Sequence, residues 1–338
     1  MKTKISLTLC VSAVILLVCA ALGSVHIPAA NILSVIAHMV FSIALPEHIT
    51  PADVTIVWNL RLPRVALAFT AGAALSVSGA VMQSVLRNPL ASSYTLGVSS
   101  GASLGASLVI FLGFTLPIAS MLTLPILGFT FGLGTIVMAM AIAQQLDRGM
   151  ENHTIILTGM IFSLFINAVT TLMFALFREN IQRMIFWQMG SFSMRDWGTV
   201  FILAPIVTAG IIFIVRFRLE LDIMTFGEDQ AQTIGINSKN VKWMLLITSA
   251  AITGSTIAFV GVIGFVDLVV PHIVRKIFGA AHRYVIPMSA VAGGAFMALC
   301  DLAARTVAAP AELPVGAVTA LIGAPFFAYI YFSKKGAT

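Results

Sequence analysis

The chain has 338 residues, of which 59% are hydrophobic and only 9% charged, with a mean hydropathy of +1.01. Soluble domains carry about 45–50% apolar and about 25% charged residues, so this composition excludes one and points to an all-α polytopic membrane protein. The formal net charge of +6 comes from basic residues scattered between apolar runs, which argues for membrane topology and against a nucleic-acid partner.

In chain order, Met1 to Gly23 has the outline of a signal peptide, with Lys2 and Lys4 ahead of an apolar run and small residues after it. Leu16-Leu17-Val18-Cys19 resembles a lipoprotein cleavage site, but Val18 is bulky where a small residue belongs. The many apolar segments downstream favour an uncleaved first span. Crossing a bilayer takes about 20 apolar residues, which places ten spans at 5–25, 62–82, 95–113, 118–144, 154–177, 198–217, 242–261, 264–278, 284–303 and 315–332. The segment 264–278 is short and needs neighbouring protein to cover its ends. Continuous apolar runs, rather than alternating ones, exclude an outer-membrane barrel.

An even number of spans puts both termini on one side, and the positive-inside rule selects the cytoplasm. Arg61, Arg64, Arg178, Arg183, Arg195 and Arg305 then lie outside; they are 6 of the 19 basic residues, and the other 13 lie inside, every lysine among them. Gly97, Gly101 and Gly105 in the third span and Gly128 and Gly132 in the fourth recur every four residues, a spacing for close helix packing within the bundle.

Arg216 to Lys242 breaks the apolar pattern, holding about a quarter of the charged residues between two spans. Charge at the bilayer centre costs about 2.5–3.5 kcal/mol per residue even on the lenient insertion scale, so this island sits in water. Glu228 to Ile234 is helix-forming, two carboxylates fall in its first turn, and Gly235 stands where a helix ends. Taken alone, the island reads equally as a solvated loop or as a docking helix for a cytoplasmic partner.

No Gly-x-x-x-x-Gly-Lys-Ser/Thr phosphate loop, metalloprotease His pair or nucleophile elbow occurs. Cys10, Cys19 and Cys300 lie in apolar segments and read as packing residues. The six histidines, His26, His38, His48, His153, His272 and His282, do not cluster and read as solvated residues at membrane edges rather than metal ligands. Within the spans ionisable groups are scarce, which speaks against an ion-coupled secondary transporter; an intramembrane enzyme lacks any catalytic constellation. Asp267 is the exception, read as a carboxylate beside a broken helix and satisfied there by backbone N–H groups and water.

A series of longer motifs resembles one family. They are Arg61-Leu62-Pro63-Arg64, Gly72-Ala73-Ala74-Leu75, Ser78-Gly79-Ala80-Val81-Met82-Gln83, Arg87-Asn88-Pro89-Leu90-Ala91 and Leu96-Gly97-Val98-Ser99-Ser100-Gly101-Ala102. Trp187-Gln188-Met189-Gly190-Ser191-Phe192, Gly227-Glu228, Ile234-Gly235-Ile236, Val270-Pro271-His272 with Arg275, Asp301-Leu302-Ala303-Ala304-Arg305 and Glu312-Leu313-Pro314-Val315-Gly316 continue it in order. The run closes with Thr319 to Phe326. Together they resemble the membrane-spanning permease of type II ABC importers for iron(III)-siderophores, haem and cobalamin.

The resemblance implies one permease domain over 1–338, with a cytoplasmic coupling loop at about 218–241, in a bacterial or archaeal cytoplasmic membrane. It implies a non-catalytic subunit that binds no cofactor or metal itself, with ATP and Mg on a partner. The partners would be a second permease copy or a homologue, two ATP-binding subunits, an extracytoplasmic substrate-binding protein and the lipid bilayer. Gly227, Glu228, Asp229, Ala231, Gln232, Ile234 and Gly235 match the coupling helix. Arg61, Arg64 and Arg305 match outward arginines that meet glutamates of the binding protein, and Asn88, Leu90, Asn152 and His153 match the cytoplasmic gate. Two departures stand out. Ser92 and Ser93 replace an acidic residue and proline, which predicts a looser turn; Val262 and Asp267 replace a Pro and a Gly ahead of and at the broken helix.

Overall fold

A computed structural model describes residues 1–23, 27–117 and 122–333. His26, Lys334, Lys335 and the start of the 118–144 segment lie outside the described residues. The first half comprises α1 (Lys2–Ala21), α2 (Ala29–Phe41), α3 (Pro51–Thr55), α4 (Leu62–Val85), α5 (Val98–Leu112), α6 (Thr123–Leu146) and α7 (Asn152–Leu176). The second comprises α8 (Ile181–Gln188), α9 (Trp197–Arg216), α10 (Arg218–Met224), α11 (Glu228–Thr233), α12 (Ser238–Val260), α13 (Val266–Phe278), α14 (His282–Thr306) and α15 (Val315–Ser333).

Each expected span falls on a helix, and among the described residues 7 helices are long and apolar enough to cross a membrane on their own. The helix α2 was not anticipated, because 13 residues are too few for a span-length window. A π-helical turn over Ile56–Arg61 joins α3 to α4 and makes one continuous run of 35 residues. The third span starts later than expected, at Val98. Ser92 to Gly97 instead forms a turn in which Thr95 Oγ1 donates to the Ser92 carbonyl at 2.8 Å and accepts from the Ser92 N–H at 3.1 Å. Ser93 is fully buried, with Oγ 3.0 Å from Thr253 Oγ1. The turn is therefore tied down, not loose.

Burial sorts the helices. The apolar window of the α3–α4 run is 83% buried, against 22% for α1 and 28% for α7 and α9. The bundle is built around α4, whose small residues let its neighbours come to backbone contact. A Cβ at Gly72 would overlap the Gly293 carbonyl of α14, and one at Gly79 would overlap the Asp267 carbonyl of α13. Gly101 and Gly105 of α5 meet the Phe131 and Leu127 carbonyls of α6 in the same way, so this glycine spacing serves packing inside the chain.

Polar groups collect at two rims. Lys4, Arg87, Asp222, Glu228, Lys242, Arg275 and His282 share contacts at one end of the helices. Arg61, Arg64, Ser193, Asp301, Arg305 and Glu312 share the other. This division agrees with the sorting of basic residues by the positive-inside rule.

Gly79→Ala is expected to lower the thermal midpoint in detergent, since overpacking costs about 1–3 kcal/mol. Gly134→Ala in α6, where nothing lies within 4 Å of the new methyl, is expected to leave it unchanged or raise it. Equal midpoints would show that the α4–α13 approach does not limit stability.

Candidate functional site

The polar island folds as α10 and α11. Gly227 caps α11 at φ +135° and Gly235 ends it at φ +88°. The N–H of Ile236 donates to the Ala231 carbonyl at 2.9 Å and that of Gly235 to the Gln232 carbonyl at 2.9 Å. This pair of bonds is a Schellman motif, in which a left-handed glycine lets the helix close on its own last carbonyls. Glu228, in the first turn where the helix dipole favours it, accepts from Lys242 Nζ at 2.6 Å. The same ammonium donates to the Met150 carbonyl at 2.8 Å, and Arg87 Nη2 lies 4.0 Å from Glu228 Oε1. Lys242 is fully buried, so removing either partner strands a charge.

The Met150 carbonyl belongs to a loop braced by Asp147, which accepts from the N–H groups of Glu151 at 2.7 Å and Gly149 at 2.8 Å. Those two donors hold the Asp147 carboxyl below the usual carboxylate range. Ala231 is buried against the bundle. The opposite face of the island is open, with Phe226 at 77% and Ile234 at 67% exposure beside exposed Asp229 and Gln232.

At the other rim the three expected arginines do not project into solvent. Arg61 is 6% exposed, and its Nη1 donates to the carbonyls of Ala20 at 3.1 Å and Ala21 at 2.7 Å. Arg305 lies 3.7 Å from Asp301 and donates to the Cys19 carbonyl. The cause is local: the last carbonyls of α1 have no helical partner and Asp301 is buried at 1% exposure, so the guanidinia turn inward to satisfy them. Arg64 grips Asp301 through Nε and Nη2 at 2.9–3.0 Å. It also grips Glu312 through Nη1 at 2.8 Å and Nη2 at 3.2 Å. Ser193 Oγ donates to Glu312 at 2.6 Å. Glu312, 41% exposed, is the open end of this cluster.

Of the four gate positions, Asn88 forms an Asx turn, its Oδ1 accepting from the Leu90 N–H at 2.9 Å, and Leu90 is 46% exposed. The Asn152 Oδ1 is buried without a partner, while His153 is exposed and 3.3 Å from Glu151. Among the described residues no hydrogen bond or ion pair joins the two pairs.

His48 and His153 are exposed, but His282 is not the solvated edge residue expected. It is 1% exposed and held by Asp222 and Ser84. Asp267 is also 1% exposed, its carboxylate set beside the backbone N–H groups of Ser93 and Leu268 as expected at a broken helix, and the nearby Tyr94 hydroxyl is unpartnered. Cys19 and Cys300 are buried as packing residues, and Cys10 is exposed. Among the described residues no group of three or more His, Cys, Asp or Glu could hold a metal ion.

Sequence reasoning missed Lys242, Asp222, His282 and Glu312 as partners. Only Lys242 carried a signal, as a lysine at the very start of a span.

Arg64 holds the Glu312 carboxyl below the usual carboxylate range, helped by Ser193 and Arg305. A carboxyl lowered in the folded state contributes fully above its unfolded pKa, about 4.3, and loses that contribution as pH falls through the lower folded value. Wild type is expected to be more stable than Glu312→Gln near neutrality by about 1 kcal/mol or less, seen as a higher thermal midpoint. The gap is expected to close below about pH 4; a gap independent of pH would contradict this.

Residues 10–333 match the model of the FecCD transport family. The ABC transporter permease YvrB of Bacillus subtilis is 42% identical over 91% of this chain and 87% of its own. The cobalamin import permease BtuC of Halobacterium salinarum is 37% identical over 83% and 74%. The Fe(3+) dicitrate permease FecD of Escherichia coli is 34% identical over 81% and 84%. A solved ABC transporter described as of metal-chelate type, in an inward-facing conformation, superposes with a TM-score of 0.82 at 28% identity, covering 98% of both chains. With its helical bundle, its two polar rims and these matches, the chain belongs to the FecCD transport family of ABC-importer permeases.

Proposed function

We propose that this permease carries an iron(III)-siderophore-type chelate across the cytoplasmic membrane, driven by ATP hydrolysis on a separate subunit that receives α11. The observation that carries this reading is the build of α11. Its buried side is pinned by Glu228, Lys242 and Ala231, while Phe226, Asp229, Gln232 and Ile234 stand open to water. Exposed Phe226 and Ile234 flanking α11, with Leu219 of α10 also exposed, suit a protein partner, since aromatic and aliphatic anchors ringed by polar groups dominate interface energetics. The relatives supply the class of machine: they are permeases of import systems for iron(III)-dicitrate and cobalamin. Cobalamin and haem are the alternative cargoes.

Two copies of the chain, or one with a homologous permease, would enclose the path. The rim with α11 would face the cytoplasm together with both termini. The opposite rim would receive the substrate-binding protein. There Arg64 is the one arginine with an exchangeable partner, because Glu312 is partly exposed and a carboxylate of the binding protein could take its place in the fork. Arg61 and Arg305 support that face from behind by fixing the end of α1. Asn88, Leu90, Asn152 and His153 would form the inner gate. An ion-coupled transporter would instead concentrate charge at mid-span, whereas Arg64 with Asp301 and Arg275 gather at the two rims, and among the described residues Asp267 makes no ion pair.

The test is uptake into proteoliposomes holding this chain, its ATPase and its binding protein, with ferric siderophore, haem and cobalamin in separate runs. ATP-dependent accumulation of ferric siderophore is expected, and it should vanish when Glu228 to Gly235 is scrambled. Phe226→Asp and Ile234→Asp are each expected to weaken ATPase-subunit binding about tenfold or more, with permease yield unchanged because both side chains are exposed. Uptake by an ion gradient without the ATPase, or wild-type ATPase binding by both variants, would refute the reading.

A further inference from the structure

Pro271 lies inside α13 and has no N–H to offer the Asp267 carbonyl four residues earlier. In a span that carbonyl must find another partner. Gln83 of α4 supplies it, donating through Nε2 at 3.0 Å. The Gln83 Oε1 accepts in turn from Arg275 Nη1, farther along α13. Arg275 Nη2 donates to the Ala80 carbonyl at 2.9 Å and to Ser84 Oγ at 3.1 Å. Ser84 Oγ is 2.7 Å from His282 Nε2 at the start of α14. His282 closes the series on Asp222 of α10, whose Oδ1 lies 2.6 Å from Nδ1 and accepts from the His282 N–H at 2.9 Å. Two residues beyond Asp222, the Met224 carbonyl accepts from the Gly227 N–H at 3.3 Å, and the Gly227 carbonyl begins α11.

We infer that this line couples α11 to the Pro271 break, with Asp222, His282, Ser84, Arg275 and Gln83 as positioning residues for transport. The inference rests on α11 being the docking helix. Gln83, Ser84 and His282 are all buried, so water cannot replace a link that lengthens among them; Asp222, partly exposed, is where the line meets the polar rim. A shift of α10 must then either break a hydrogen bond in a low-dielectric interior or carry its partner along. The far end bears on the carbonyl that Pro271 leaves without its ladder partner inside α13. A helix is least stiff where its own ladder is interrupted, so displacement delivered there bends α13 instead of translating it. Gly79 holds the same Asp267 carbonyl against α4 and keeps Gln83 in reach.

The test uses the complete transporter in proteoliposomes and reads substrate moved per ATP hydrolysed, beside ATPase-subunit binding and thermal midpoint. Gln83→Leu and Asp222→Ala interrupt the two ends. Each is expected to lower uptake per ATP roughly tenfold while ATPase-subunit binding persists. The double variant is expected to be no worse than either single one, as for residues acting in one line. Pro271→Ala restores a backbone N–H for the Asp267 carbonyl. Combined with Gln83→Leu, it is expected to recover the thermal midpoint but not the uptake per ATP. If it recovers both, Gln83 only caps a carbonyl and the inference fails. The inference also fails if uptake per ATP is unchanged in both single variants. Loss of ATPase binding in the α11 variants tests the docking reading separately, so the two failures are distinguishable.

Discussion

A backbone carbonyl inside hydrocarbon has no water to fall back on, and this molecule answers that constraint largely from one helix. Side chains along the continuous α3–α4 run reach carbonyls or carboxylates on four neighbours. Arg61 takes the end of α1, Ser76 the Ser289 carbonyl of α14, Ser78 the Ser249 carbonyl of α12, and Gln83 the Asp267 carbonyl of α13. Arg64 takes Asp301 of α14. Small residues between these donors bring the neighbours close enough to be reached. Packing and polar satisfaction are thus one problem solved on one helix surface.

The two rims use charge differently. At one, a buried lysine and a first-turn glutamate fix a short helix by its start and leave its other face open. At the other, guanidinia are absorbed into α1 and Asp301, so the surface that remains is defined by Glu312 more than by the arginines. A buried ion pair does little for net stability, but it sets geometry firmly because breaking it leaves a stranded charge. At α11 that firmness fits a part whose position has to be known to a partner.

Every apolar run that hydropathy marks coincides with a helix, 7 of them long and apolar enough to cross a membrane among the described residues, because burying a run of about 20 apolar residues has few alternatives. Hydropathy could not find α2, which is too short to register, nor the late start of α5, which depends on hydroxyl bonds between Ser92 and Thr95. The helix in the polar island and its glycine stop were legible, since capping is a local effect. The direction of Arg61 and Arg305 was not, because it depends on carbonyls some 40 and 286 residues away in sequence. The same holds for His282: an edge position says nothing of a carboxylate that another helix brings to it. Asp267 stood out as an anomaly, but only the structure shows that its backbone carbonyl is held by Gln83 of another helix.

The glycine rows that join α5 to α6 have a mechanical consequence. With Gly101 and Gly105 set against the Phe131 and Leu127 carbonyls, the two helices meet at backbone distance there, and the side chains between them are short, Thr135 and Ala102 among them. Rotamer changes, which let packed helices slide by an ångström or two, have little to act on at such a seam. The pair therefore moves as a single beam, and the compliance of the bundle is left to seams where longer side chains interdigitate.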